Sequence, residues 1–117
     1  MWIFPSEMKV YLALGHTDMR KSVNGLSIIV SECLQKDPFS GHLFVFCNKK
    51  RKILKILYYD NNGFCMWYKR LEKAVFRWPK NVSEVLEIGN RELFFLLQGM
   101  DVEQPLIHKA EKYSKIY

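Results

Sequence analysis

From residue 42 to residue 79 the sequence offers four strand candidates in succession. HLFVFC (42–47), ILKILYYD (53–60), FCMWYKRL (64–71) and VFRWP (75–79) are short runs rich in aromatic and β-branched residues, and each reads as a strand. The links between them, NKKRK, a DNNG turn and EKA, are too short for a crossover, so successive strands must pair antiparallel. The pattern predicts a meander of three hairpins. Gly63 of DNNG is expected to supply the left-handed position of a three-residue loop. HLFVFC is apolar on both faces, which places it centrally or beneath a helix.

Upstream the period changes. MKVYLAL (8–14) reads as a strand and GHTD as a turn, with Thr17 or Asp18 able to cap a following helix. Apolar residues at Met19, Val23, Leu26, Val30, Cys33 and Leu34 form a helical stripe. Gly25 weakens that helix by about 1 kcal/mol relative to Ala and so marks close packing. Pro38 and Gly41 end it. Downstream, VLEI (85–88) reads as a further short strand, and Asn90 caps a second helix over RELFFLLQGM (91–100). The expected fold is α+β: an antiparallel β-meander of four or more strands packed against an N-terminal helix and a C-terminal helix, both helices on one face. Residues 1–105 make one domain, and residues 106–117 a polar-basic tail.

At 117 residues a single core suffices, and an apolar share of 49% is too high for a disordered chain. No apolar run is long enough to span a bilayer, and MWIFPSEMKVYLALGH lacks the basic start and small-residue cleavage site of a signal peptide. Cys33, Cys47 and Cys65 are odd in number and lack metal-type spacing; reduced thiols in a cytoplasmic protein are the simplest account. The charge is unevenly spread. Residues 48–80 hold ten basic and two acidic residues, +8, whereas the rest holds eight basic and ten acidic, −2. Such a concentration is the footprint of a polyanion binder.

Beyond these patterns, GHTDMRKSVNGLSIIV and DPFSGHLFVFCNKKRKILKILYYDNNGFCMWYKRLEKAVFRWP resemble the accessory protein, often called TnpB, of the insertion-sequence-66 family of bacterial transposable elements. That protein is distinct from the RNA-guided nuclease of the same name. The blocks Thr17-Asp18-Met19-Arg20-Lys21, Asp37-Pro38-Phe39-Ser40-Gly41 and Lys69-Arg70-Leu71-Glu72 match in order and spacing, and the likeness runs from about Met8 to Met100. Cys47 stands where many relatives carry a polar or basic residue, Ser22-Val23 replace a common Gly-Phe pair, and the tail after Pro105 has no matching counterpart. The resemblance implies a role in transposition beside a separate DDE-type transposase, and it brings no catalytic residues.

Two readings of function follow. In the first, DNA is bound through its backbone by Lys49, Lys50, Arg51, Lys52, Lys69, Arg70, Lys73 and Arg77 of the meander, joined by Arg20 and Lys21 at the start of the first helix, and the chain joins the transposase through another surface. Four phosphates neutralised by Lys49–Lys52 would give a salt slope of about −3.6. The competing account of that cationic turn is a solvated tip that discourages edge-to-edge aggregation. Tyr58, Tyr59, Phe64, Trp67, Tyr68, Phe76 and Trp78 could stack on bases if exposed, although a sheet of this kind needs most of them as core. In the second reading the chain is a protein adaptor without direct DNA contact, and Phe94, Phe95, Leu96 and Leu97 beside Leu93 leave apolar surface for a transposase or a second copy. Catalysis is not expected. Asp18, Asp37, Asp60 and Glu72 suit turn chemistry and local pairing better than a metal cluster. His16, His42 and His108 are too scattered to make a zinc site with Cys47 and Cys65. No cofactor is expected.

Overall fold

Leu43–Cys47 is buried at every position, and that fact organises the molecule. A strand with no solvent face needs a neighbour on each side and a covering layer above and below. The computed structural model describes residues 7–80 and 83–100. Its strands are β1 (Val10–Ala13), β2 (Leu43–Cys47), β3 (Ile53–Asp60), β4 (Gly63–Arg70) and β5 (Val85–Ile88), and its helices are α1 (Val23–Ile28, continued by a wider turn over Ile29–Cys33) and α2 (Asn90–Leu97). They form one five-stranded sheet in the order β4-β3-β2-β1-β5.

The expected hairpins β2–β3 and β3–β4 are present, with Val45 opposite Ile56 and Ile56 opposite Trp67. The sheet as a whole, however, is mixed. β1 runs parallel to β2, with Tyr11 opposite Phe44, and β5 adds antiparallel on the far side of β1. A parallel neighbour requires a crossover, and α1 is that crossover, so the first helix is internal to a β-α-β unit. The helices also lie on opposite faces, contrary to the one-sided packing expected. Strand alternation sends Val10, Leu12, Val45 and Ile56 into a core with Leu93, Leu96 and Leu97 of α2. It sends Tyr11, Ala13, Phe44 and Phe46 into a second core with Leu26 and Val30 of α1. Because β1 and β2 are apolar on both faces, neither face could be left to water.

Three local expectations are corrected. VFRWP is no strand and makes no third hairpin. The chain turns at Ala74, whose φ is 67°, and the Phe76 N–H donates to the Arg51 carbonyl at 2.8 Å. Phe76 and Trp78 are buried in the α2-side core and Arg77 is exposed. The alternation that suggested a strand is real, but it is satisfied by core contact instead of a ladder. Helix α1 begins at Val23, not at the Thr17–Asp18 cap; Asp18 closes a separate turn, its carboxylate accepting from the backbone N–H and guanidinium of Arg20. The β3–β4 turn is shorter than expected: Asp60 pairs with Gly63, and Asn61 takes the left-handed conformation with φ 56°. Asn tolerates that region through local side-chain bonding.

Gly89, not the expected Asn90, caps helix α2: Asn90 is already the first helical residue, and the Gly89 N–H donates to Glu92 Oε1 at 3.0 Å. At its end Gly99, with φ 80°, allows its own N–H to reach the Leu96 carbonyl and the Met100 N–H to reach that of Phe95. No helix among the described residues is long and apolar enough to cross a membrane. The polar-basic tail expected at residues 106–117 lies outside the described residues.

Candidate nucleic-acid interface

The cationic turn Lys49-Lys50-Arg51-Lys52 leaves the carboxyl end of β2. The Arg51 N–H donates to the Asn48 carbonyl at 3.0 Å, and the Asn48 N–H to the Ile53 carbonyl at 3.0 Å. The Asn48 side chain ties the interior of the turn: its Oδ1 accepts from the backbone N–H groups of Lys52 at 2.9 Å and Ile53 at 3.0 Å. Arg51 closes the turn in the left-handed region, with φ 62°. The chain is held so tightly that Lys49, Lys50 and Arg51 must project into solvent.

Two other segments come to the same end of the sheet. The loop after β1 is anchored there by the Thr17 N–H, which donates to the Cys47 carbonyl at 2.8 Å. The segment after β4 is anchored by the Phe76–Arg51 bond and by the Leu71 N–H, which donates to the Lys52 carbonyl at 2.8 Å. Between these segments lie two clefts that share His16, Asn48 and Lys49. One, of about 320 Å³, adds Asp18, Arg20 and Lys50. The other, of about 270 Å³, adds Arg51, Trp78 and Pro79. Both open at the carboxyl ends of the parallel pair β1–β2, the place where ligands bind in open sheets of parallel strands.

The structure thus brings Arg20 together with Lys49 and Lys50 in one cleft, and Arg51 together with Lys49 in the other. The remaining candidate cations have other surroundings. Lys52 Nζ donates to the Ala74 carbonyl at 2.7 Å and so ties down the turn into the 75–79 segment. Lys69 Nζ donates to the Leu97 carbonyl at 2.9 Å, a cation at the negative end of α2. Arg70 pairs with Glu72 at 3.3 Å. Lys21, Lys73 and Arg77 are exposed. Lys55, which contributed to the charge count, donates to the Met19 carbonyl at 2.8 Å and helps hold the loop before α1.

Arg20 is itself engaged. Its side-chain hydrogen bonds and then its backbone N–H hold the Asp18 carboxyl well below the usual range, and Asp18 in turn raises the Arg20 guanidinium. Both side chains are open to water, so the pair adds little to stability. Desolvation pushes the Cys47 thiol up to about 11, which makes it an inert core residue and no nucleophile. Burial, with Cys65 next, raises the Tyr58 phenol.

Of the aromatic candidates, Phe76 and Trp78 are core. Tyr59 and Phe64 pack with Phe39 at the opposite end of the sheet, ring centroids 5.1 Å apart. Tyr68 is 53% exposed, so its ring is open for stacking. Among the described residues no three His, Cys, Asp or Glu side chains gather as metal ligands.

Asn48 escaped sequence reasoning and could have been suspected, since an Asn that opens a turn often accepts backbone N–H groups ahead of it. Trp78 was named only as a possible stacking ring; its place in the cleft follows from the irregular path of the chain after β4.

Comparison with known proteins gives a family. The chain matches "IS66 Orf2 like protein" over residues 8–106. It is 37% identical over 98 residues to the uncharacterized protein y4hO of Sinorhizobium fredii, covering 84% of this chain and 85% of that one. It is 31% identical over 94 residues to the uncharacterized protein y4jC of the same organism, covering 80% of each. No solved structure matches.

Proposed function

The chain belongs to the IS66 Orf2-like family of transposition-associated proteins, and from that premise we propose that it is a non-catalytic accessory protein that holds DNA against the cationic end of its sheet. Backbone phosphates are the contacts, made first by Lys49, Lys50 and Arg51, with Arg20 beside them. The observation that carries this reading is the convergence of three segments on one end. The cations of the hairpin tip lie at one end of the strands; at the other, Asp37 and Asp60 sit with Lys9 and Lys36. The acids near the tip are Asp18 and Glu72, each paired with an arginine, and exposed Glu84.

Fluorescence anisotropy with a labelled duplex tests it. Three neutralised phosphates give a salt slope of about −2.7, a loss of about 40-fold in affinity between 50 and 200 mM salt. Replacing Lys49, Lys50 and Arg51 together by Gln should flatten that slope and weaken all sequences evenly. Absence of binding to element ends and to random duplex at low salt would refute the reading.

Association with the transposase or with a second copy rests on a different surface. Phe94 of α2 is 55% exposed, and Leu86, Val75 and Met100 are exposed on the α2 side of the sheet. These residues favour a protein contact there, and if DNA binding fails they carry the adaptor reading. A Phe94→Glu variant that still copurifies with the transposase as the wild type does would remove that contact.

A further inference from the structure

We propose that the cleft between the β2–β3 turn and Trp78 is a seat for a single phosphate group of a nucleotide. This deepens the DNA-binding reading, and rests on it only for whose phosphate is bound. The argument starts from the inventory of polar groups. Among the described residues no carboxylate lines this cleft; its polar side chains are those of His16, Asn48, Lys49, Arg51 and Trp78. The neighbouring cleft contains Asp18 and lacks that one-sided character.

Two of these groups carry neutral N–H donors that no acceptor among the described residues takes, the Trp78 one closed off from water so that an oxygen meets it only as the cleft wall gives. Asn48 Oδ1 is committed to the backbone N–H groups of Lys52 and Ile53. That fixes the orientation of the amide and leaves its NH₂ as the free end. Trp78 is 6% exposed, and its Nε1–H is buried with no acceptor among the described residues. An indole N–H can only donate, and a buried donor without an acceptor is costly. The two exposed cations, Lys49 and Arg51, supply charge at the rim. Fixed neutral donors with cations at the rim form a complement to a phosphate's oxygens, which accept several hydrogen bonds at once. A volume of about 270 Å³ admits a phosphate with an attached sugar.

The test uses the full chain labelled with ¹⁵N. Its three indole N–H signals come from Trp2, Trp67 and Trp78, and Trp78→Phe identifies the third. At constant ionic strength the probes are inorganic phosphate, an unphosphorylated dinucleotide and the same dinucleotide with a 5′-phosphate. The expected result is a saturable shift of the Trp78 indole signal. Asn48→Asp keeps the acceptor oxygen that holds the turn but replaces the NH₂ by a carboxylate oxygen, and should weaken the binding roughly tenfold or more. Saturation by the unphosphorylated dinucleotide identifies an internal diester; saturation only by inorganic phosphate or the 5′-phosphate identifies a terminal group. Saturable binding without duplex affinity would uphold the seat and refute the DNA reading. No saturable shift, or an equal one in Asn48→Asp with its hairpin signals intact, overturns the seat even where duplex binds.

Discussion

Arg51 is held in a conformation that its side chain makes unfavourable, and replacing it with Gly should separate stability from binding. At φ 62° the Cβ crowds the following carbonyl, at about 1–2 kcal/mol for an L residue. Glycine removes that contact but loses more chain entropy on folding, an offset of about 0.5–1 kcal/mol. The backbone bonds at this position, Arg51 N–H to Asn48 carbonyl and Phe76 N–H to Arg51 carbonyl, survive the change. The side chain is exposed, so little packing is lost. Arg51→Gly should therefore gain about 0.5–1 kcal/mol, a rise in Tm of about 2–5 °C for a chain of this size. Arg51→Ala keeps the backbone cost and should show no gain. Both should lower the salt slope of duplex binding by about 0.9, one phosphate contact. Thermal unfolding by circular dichroism, with anisotropy over a salt series, measures the two effects on the same samples. If Arg51→Gly is no more stable than Arg51→Ala, the turn is not strained as argued; if the slopes are unchanged, Arg51 makes no phosphate contact.

Other perturbations probe the remaining links. Lys69→Met removes the half-buried donor to the Leu97 carbonyl and should cost about 1–2 kcal/mol in urea unfolding while leaving duplex affinity intact; a binding defect at unchanged stability would place Lys69 in the interface. Phe76→Ala should cost about 3–5 kcal/mol, because Phe76 is wholly buried; a loss below about 1 kcal/mol would mean that the segment after β4 is detachable. The Cys47 thiol, ordinarily near 9.0, is pushed up to about 11 by burial. A folded value above the unfolded one means that its contribution is full below about pH 9 and is lost as pH rises towards 11. Wild type should lose about 2 kcal/mol more than Cys47→Ala between pH 8 and pH 10.5 in urea titrations; parallel losses would refute the assignment.

The candidate site was partly legible from residues alone. The four-cation turn and the excess of charge over residues 48–80 are local facts, and both point to an anion. What could not be read was which cations are free. Lys52, Lys55 and Lys69 each end on a backbone carbonyl far away in sequence, at Ala74, Met19 and Leu97. A lysine stem reaches such a carbonyl only after the chain has folded, and nothing in its neighbours announces it. Trp78 enters the same way, through a turn at Ala74 that composition does not mark.

The amino-acid order by itself determined the elements that rest on near neighbours. The hairpins β2–β3 and β3–β4 follow from runs of period two joined by short links, which leave only antiparallel pairing. The β5 run, the second helix with its Gly99 stop, and the burial of β2 on both faces are local in the same sense. Only the tertiary structure decided that β1 lies parallel to β2, that the helices cover opposite faces, and that VFRWP crosses the hairpin tip in place of joining the sheet. These are contests between non-local burials. Phe76 and Trp78 alternate equally well in a ladder or against a core edge, and the outcome depends on where α2 and the β2–β3 tip leave apolar surface uncovered. That same outcome set the irregular segment beside the cationic turn and so made the cleft lined by Trp78 and Pro79.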